Sequence, residues 1–251
     1  MKTFLLISLL LLAVAPASPS LAHSKSTTSK ETVLSGGKTR TYFLYVPESI
    51  SQDKAVPLVV LFHGSNRNGE SLVDKWKQLA EREGIILAAP NSSNSSFWSL
   101  AADGPEFIRD VVEAVRSKYR INGRAMYLFG HSAGATFAIF ISLLESEYFA
   151  AAALHAGALT EEDYSMIDYA KRKTPLAIFS GTNDVYCPIT IVRATQSTLK
   201  ARGFVVELTE MPNHDHWYYD LAPKINQSAW EFLKKYSLPE NPRYQPYDLT
   251  K

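Results

Sequence analysis

Tyr127-Leu128-Phe129-Gly130-His131-Ser132-Ala133-Gly134-Ala135 runs an apolar strand straight into a Gly-x-Ser-x-Gly turn, and a helical pattern over residues 133–147 starts at once behind it. A serine at such a corner sits on a strained strand-to-helix bend with little room on either side, hence the glycines at 130 and 134. The bend lifts the Ser132 hydroxyl clear of the strand end and points it at the start of the helix. Five residues alone say little. The strand before, the helix after, and an aspartate and a histidine later in the chain separate this turn from a chance pattern in a core loop.

Outward from that corner the chain alternates between two periods. Residues 57–62 are a continuous apolar run, the mark of a strand buried on both faces, and residues 41–46 alternate polar with apolar, which predicts an early antiparallel strand. Residues 71–82 put Leu72, Trp76, Leu79 and Ala80 at helical spacing, and 85–89 is the next strand. Residues 105–119 set Phe107, Ile108, Val111, Val112 and Val115 on one helical face, with Pro105 near its start. Beyond the serine turn, 149–154, 175–180 and 205–209 read as strands, and 190–201 and 222–236 as helices. Strands alternating with helices predict an α/β domain over residues 37–236, its mostly parallel central sheet covered by helices on both faces. No connection is long enough for a large lid domain, so the expected cleft is open.

The 251 residues are 46% hydrophobic and 20% charged, which suits one globular core. A net charge of +1 gives no field to draw nucleic acid or an anionic membrane. Zinc-type Cys/His spacings and phosphate-binding glycine loops are missing from the sequence, so no metal and no cofactor is expected. Residues 1–22 have one early lysine, a short apolar run and small residues at Ser20 and Ala22. They read as a signal peptide cut after Ala22, too short to be a stable membrane anchor. The expected product is secreted or periplasmic, with a disordered lead-in over 23–36 and a loose proline-bearing tail over 237–251. Cys187 is the single cysteine, so no internal disulfide forms, and a small packed side chain is the expectation there. Asn91, Asn94 and Asn226 head glycosylation-type triplets.

A serine hydroxyl is a poor nucleophile at neutral pH and needs a base within hydrogen-bond reach. That base belongs on a loop after the last strand, where His214 and His216 both stand and spacing does not separate them. The acid that orients it should follow a strand between Ser132 and that loop. Asp184 in Gly181-Thr182-Asn183-Asp184 fits, ahead of Glu207 and Glu210, with helix capping as its alternative role. Two N–H groups are needed where charge develops on the substrate oxygen. Ala133, next to the nucleophile, supplies one, and the Ser65 amide of the turn His63-Gly64-Ser65-Asn66 the other. His63 is expected to hold that turn, and His131 and His155 to be packed or solvent-facing. Trp98 and Trp217 lie on loops at the same end of the sheet and are candidates for an aromatic substrate wall.

These features resemble the α/β-hydrolase superfamily from about residue 41 to 236. Residues 57–64, 130–134, Gly157-Ala158-Leu159 and 181–184 are similar to the secreted polyhydroxybutyrate depolymerase and feruloyl esterase-like group. Asp215-His216-Trp217-Tyr218-Tyr219 resembles the Asp-His-x-Tyr-Tyr run that carries the catalytic histidine in S-formylglutathione hydrolase-type esterases, which favours His216 over His214. The resemblance implies an α/β-hydrolase fold and a serine carboxylester hydrolase working through an acyl-enzyme. Its expected substrates are small or aryl esters, free or linked to a polysaccharide. A serine peptidase of prolyl oligopeptidase type, an acyltransferase and a non-catalytic binding protein are the alternatives.

Overall fold

A computed structural model describes residues 28–51 and 53–247. The expected signal peptide, residues 1–22, and residues 23–27 of the expected lead-in lie outside the described residues. Eight strands form one sheet: β1 (Thr28–Ser35), β2 (Lys38–Tyr45), β3 (Val56–Phe62), β4 (Ile86–Pro90), β5 (Ile121–His131), β6 (Ala151–His155), β7 (Leu176–Gly181) and β8 (Val206–Met211). They lie side by side in the order β1-β2-β4-β3-β5-β6-β7-β8. The hairpin β1–β2 and the β2–β4 pair are antiparallel, and every pairing from β4 through β8 is parallel.

The apolar run in β3 shows why the sheet needs two covers. Side chains alternate across a strand, so Leu58, Val60 and Phe62 enter one core while Val59 and Leu61 enter the other. The first core is closed by α3 (Pro105–Arg116), α4 (Ala133–Leu144) and α5 (Ile189–Ala201), through residues such as Val111, Phe137 and Leu199. The second is closed by α1 (Glu70–Glu83) and α6 (Ala222–Leu233), which bring Trp76 and Trp230. A four-residue α2 (Leu100–Asp103) precedes α3, and the β6–β7 connection holds a 3-10 segment, Glu161–Tyr169, rather than a lid domain.

Two expectations need correction. The part of the lead-in that falls at 28–35 is strand β1, paired along its length with β2 from Thr28 opposite Tyr45 to Ser35 opposite Lys38. Its Ser/Thr/Lys-rich composition suits a sheet edge, where polar and charged side chains discourage further pairing. The described part of the tail is irregular but fastened rather than loose. The Leu238 amide donates to Arg124, the Arg243 amide to Glu147, and the Gln245 amide to the buried Glu145 carboxyl.

Among the described residues no helix is long and apolar enough to cross a membrane. Parallel strands bring their C-terminal ends to one edge, where ligands bind in open α/β sheets. Here that edge carries the turns after β3, β5, β6, β7 and β8.

Candidate active site

Ser132 is the single residue between β5 and α4. Its φ of 58° and ψ of −124° lie where L-residues rarely sit, at a cost of about 1–3 kcal/mol. The flanking glycines make this bend sterically feasible. A Cβ at 130 would stand 2.2 Å from the Gly134 carbonyl oxygen, and one at 134 would stand 2.1 Å from that of Phe62. Both obstacles are backbone, so neither can step aside. The Ser132 N–H donates to the His155 carbonyl at 2.9 Å, tying the bend to β6.

Ser132 Oγ lies 2.7 Å from His216 Nε2, and His216 Nδ1 lies 2.7 Å from Asp184 Oδ2. The carboxylate can only accept, which puts the ring proton on Nδ1 and leaves Nε2 to accept from the hydroxyl. Asp184 is buried, and its second oxygen takes the N–H groups of Tyr186 at 2.9 Å and Cys187 at 2.8 Å. The carboxylate is thus fixed through both oxygens, and it does not cap α5, which opens behind Pro188.

His214 points elsewhere, with Nε2 3.2 Å from Nε2 of His155. Glu210 pairs with Arg193 on the surface, and Glu207 lies near the start of β8, beside Ala177 and away from the strand's C-terminal end.

The turn after β3 approaches the serine closely: a Cβ on Gly64 would stand 3.3 Å from Ser132 Cβ. His63 braces this turn from beneath. Its Nδ1 donates to the Gly64 carbonyl at 2.9 Å and its Nε2 accepts the Ser92 amide at 3.2 Å. Burial holds the His63 ring below the ordinary histidine pKa, in keeping with a neutral brace. Among the described residues neither the Ser65 nor the Ala133 amide donates a hydrogen bond.

The two tryptophans differ. Trp98 is half-buried: its ring stacks on Phe137 at 4.7 Å, meets Phe62 edge-on, and donates Nε1–H to the His63 carbonyl at 2.8 Å. It lies at the foot of a largely exposed loop, its apolar ring packed on the core and its one donor on a carbonyl. Trp217 does stand at the rim, 46% exposed, beside Tyr219 and under Arg67. A rim residue that the sequence pattern does not single out is Tyr186, 81% exposed, with its ring 5.2 Å from that of His216. Val185, next to it, is 80% exposed. Large apolar side chains this bare, directly after Asp184, are the signal that marks them.

Two further histidines lie beneath. His131 and His155 are buried, and desolvation, helped by the neighbouring histidines, pushes their pKa values down to about 3 and about 2. Cys187 is half-buried, and desolvation and then Asp184 raise its thiol to about 12, so it stays protonated. Asn226 is buried and bonded to Tyr218 and to the Lys75 carbonyl, which closes its triplet to glycosylation.

Residues 40–192, more than half of the sequence, match the family model described as Esterase PHB depolymerase. The chain belongs to this esterase family. A bifunctional acetylxylan esterase/xylanase from Neocallimastix patriciarum is 24% identical over 154 residues, covering 59% of this chain and 22% of that protein. A poly(3-hydroxybutyrate) depolymerase from Ralstonia pickettii is 23% identical over 169 residues, covering 58% of this chain and 34% of that one. The chain thus spans only 22% and 34% of the length of these two curated relatives.

Among solved structures, an S-formylglutathione hydrolase from Staphylococcus aureus superposes with a TM-score of 0.71 at 15% identity, covering 84% of this chain and 100% of that one. A ferulic acid esterase from Anaeromyces mucronatus gives 0.67 at 16% identity, covering 84% and 92%. This esterase-family member has the α/β-hydrolase fold anticipated from the serine turn.

Proposed function

We propose that the protein is an exported serine carboxylester hydrolase. The observation that carries this is the unbroken line Ser132 Oγ–His216–Asp184, with both links at 2.7 Å. Ser132 Oγ attacks the ester carbonyl carbon while His216 Nε2 takes its proton. Asp184 holds the ring orientation and stabilises the imidazolium. The oxygen of the tetrahedral intermediate takes hydrogen bonds from the Ser65 and Ala133 amides. Collapse expels the alcohol, which leaves with the proton from His216. Water, deprotonated by the same ring, then cleaves the acyl-enzyme and releases the acid.

The substrates are small or aryl esters, free or attached to a polysaccharide. The aromatic and aliphatic rim of Tyr186, Val185 and Trp217 supports a flat acyl or alcohol group beside the serine, and the acetylxylan esterase relative supports a short acyl on a sugar polymer. Export rests on the N-terminal sequence, and a mature protein beginning at His23 in the culture or periplasmic fraction would bear it out.

Ser132→Ala is expected to lower turnover of p-nitrophenyl acetate and methyl ferulate by about 10⁴–10⁶. Near-normal turnover by that variant would refute the assignment. His216→Ala should match it, and His214→Ala should not.

A further inference from the structure

The mechanism uses one histidine, yet three others are linked beneath it. His131 Nδ1 lies 3.0 Å from His155 Nδ1, and His155 Nε2 lies 3.2 Å from His214 Nε2. Each of these histidines belongs to a segment that carries part of the site. His131 is bonded in sequence to Ser132. His155 accepts the Ser132 N–H on its carbonyl, and His214 accepts the Asn183 N–H, one residue before Asp184, on its own. His214 also opens the turn that delivers His216, and its carbonyl presses on Gly181, where a Cβ would stand 2.1 Å away.

We propose that His131, His155 and His214 form a neutral imidazole chain that acts as a set of positioning residues, holding the serine, aspartate and histidine turns in register. The inference rests on the ester-hydrolase assignment above for its effect on catalysis, though not for the chain itself.

The protons can be placed. A neutral imidazole carries one N–H, so His155 donates at one of its contacts and accepts at the other. His131 Nδ1 is the ring nitrogen that faces His155, and we place the His131 proton there. His131 Nδ1–H therefore donates to His155 Nδ1, and His155 Nε2–H donates to His214 Nε2. His214 then carries its own proton on Nδ1.

Two cations could not sit in this chain, and burial keeps the two inner rings uncharged. The rings do not converge on a point, since His155 faces His131 with one nitrogen and His214 with the other. Accordingly, among the described residues no group of three or more His, Cys, Asp or Glu side chains is arranged to hold a metal ion. Tyr218 stacks on His131 at 5.2 Å, and the His216 ring lies 5.3 Å from it, so a shift in the chain reaches the base directly. A displacement of about 1 Å at such a site costs on the order of 10²-fold in rate.

The test has two arms. The first is nitrogen-15 NMR of the intact protein near neutral pH. Locked tautomers with the proton on His131 Nδ1 and His155 Nε2, and scalar coupling across both N–H···N contacts, are expected. Rings that average their tautomers, or a His155 protonated on Nδ1, would overturn the chain as drawn.

The second arm compares His155→Phe, which fills the space without nitrogens, with His155→Gln, whose amide restores a donor toward His214. For p-nitrophenyl acetate, His155→Phe should lower kcat about tenfold or more with KM within about threefold, and His155→Gln should recover at least about threefold of that loss. A folded His155→Phe with kcat within about twofold of wild type would overturn the positioning role. Wild-type protein with locked tautomers but no ester turnover would sink the hydrolase assignment and the positioning role together, leaving the chain as a structural fact. An active protein with averaged tautomers would sink the chain alone.

Discussion

The indole of Trp98 donates to the carbonyl of His63 at 2.8 Å, so a residue on the loop 91–99 fixes the turn that carries the Ser65 amide. The same loop supplies the Ser95 carbonyl, which accepts the Asn66 N–H at 2.7 Å. The proposed oxyanion donor is therefore held on both sides by a segment without catalytic side chains.

Trp98→Phe tests that bracing. The ring packing against Phe137 and Phe62 is largely kept, while a buried carbonyl loses its donor, a loss of about 1–3 kcal/mol in stability. Turnover of p-nitrophenyl acetate should fall about tenfold with little change in KM, because the amide contributes mainly in the transition state. A raised KM at constant kcat would mean that Trp98 acts on substrate binding instead.

Asp184→Asn keeps the shape of the site and removes the charge. An asparagine can present its amide to His216 and turn the ring to the wrong tautomer, so kcat should drop by about 10³–10⁴ while the acyl-enzyme still forms slowly. Burst kinetics with p-nitrophenyl acetate measure this. A loss of less than about tenfold would remove Asp184 from the orienting role.

Tyr186→Ala should separate substrates rather than disable the enzyme. The side chain is 81% exposed, so stability should stay within about 0.5 kcal/mol. KM for methyl ferulate should rise about three- to tenfold while KM for p-nitrophenyl acetate changes little, if the ring stacks on an aryl acyl group. Equal effects on both esters would count against a stacking role.

Stability should pass through a maximum near pH 6.5. His131 and His155 are held neutral when folded but titrate at an ordinary 6.5 when unfolded, so unfolding below that pH takes up protons. Their contribution is complete above 6.5 and drains away as the pH falls toward 3. Glu145 works in the opposite sense: burial raises its carboxyl from 4.5 to about 8, so the folded chain keeps a proton that the unfolded chain releases. Its contribution is complete below 4.5 and is lost as the pH rises through 8, and between 4.5 and 6.5 the two histidines outweigh it. Urea melts across this range should show both limbs, and Glu145→Gln should flatten the alkaline one. A wild-type midpoint that keeps rising to pH 8 would contradict the Glu145 half.

What could be read from the chain alone follows from how local each constraint is. Gly130 answers to the Gly134 carbonyl four residues on, so half of the serine corner is a local constraint, while Gly134 answers to the Phe62 carbonyl on β3; the five-letter pattern shows both. The double-sided burial of β3 is equally plain in its unbroken apolar run. By contrast, β1 is an edge strand whose side chains are polar, and only its pairing with β2 reveals it. His214 and His216 share one short turn, and which of them meets Asp184 depends on how that turn sits against β7. Trp98 looks like a surface aromatic because its loop is polar, while its partners Phe62 and Phe137 come from β3 and α4. The imidazole chain crosses three separate elements and leaves no trace in spacing.

The fastening of residues 238–247 has a practical outcome for handling the protein. Tyr247 reaches the Leu144 carbonyl at the far end of α4, and Ser132 sits at the near end. The 12 residues of α4 separate the two by about 18 Å. A bead, a fluorophore or a fusion partner joined behind residue 247 would hang from the pole opposite the serine, so immobilised protein would present its mouth to the solution.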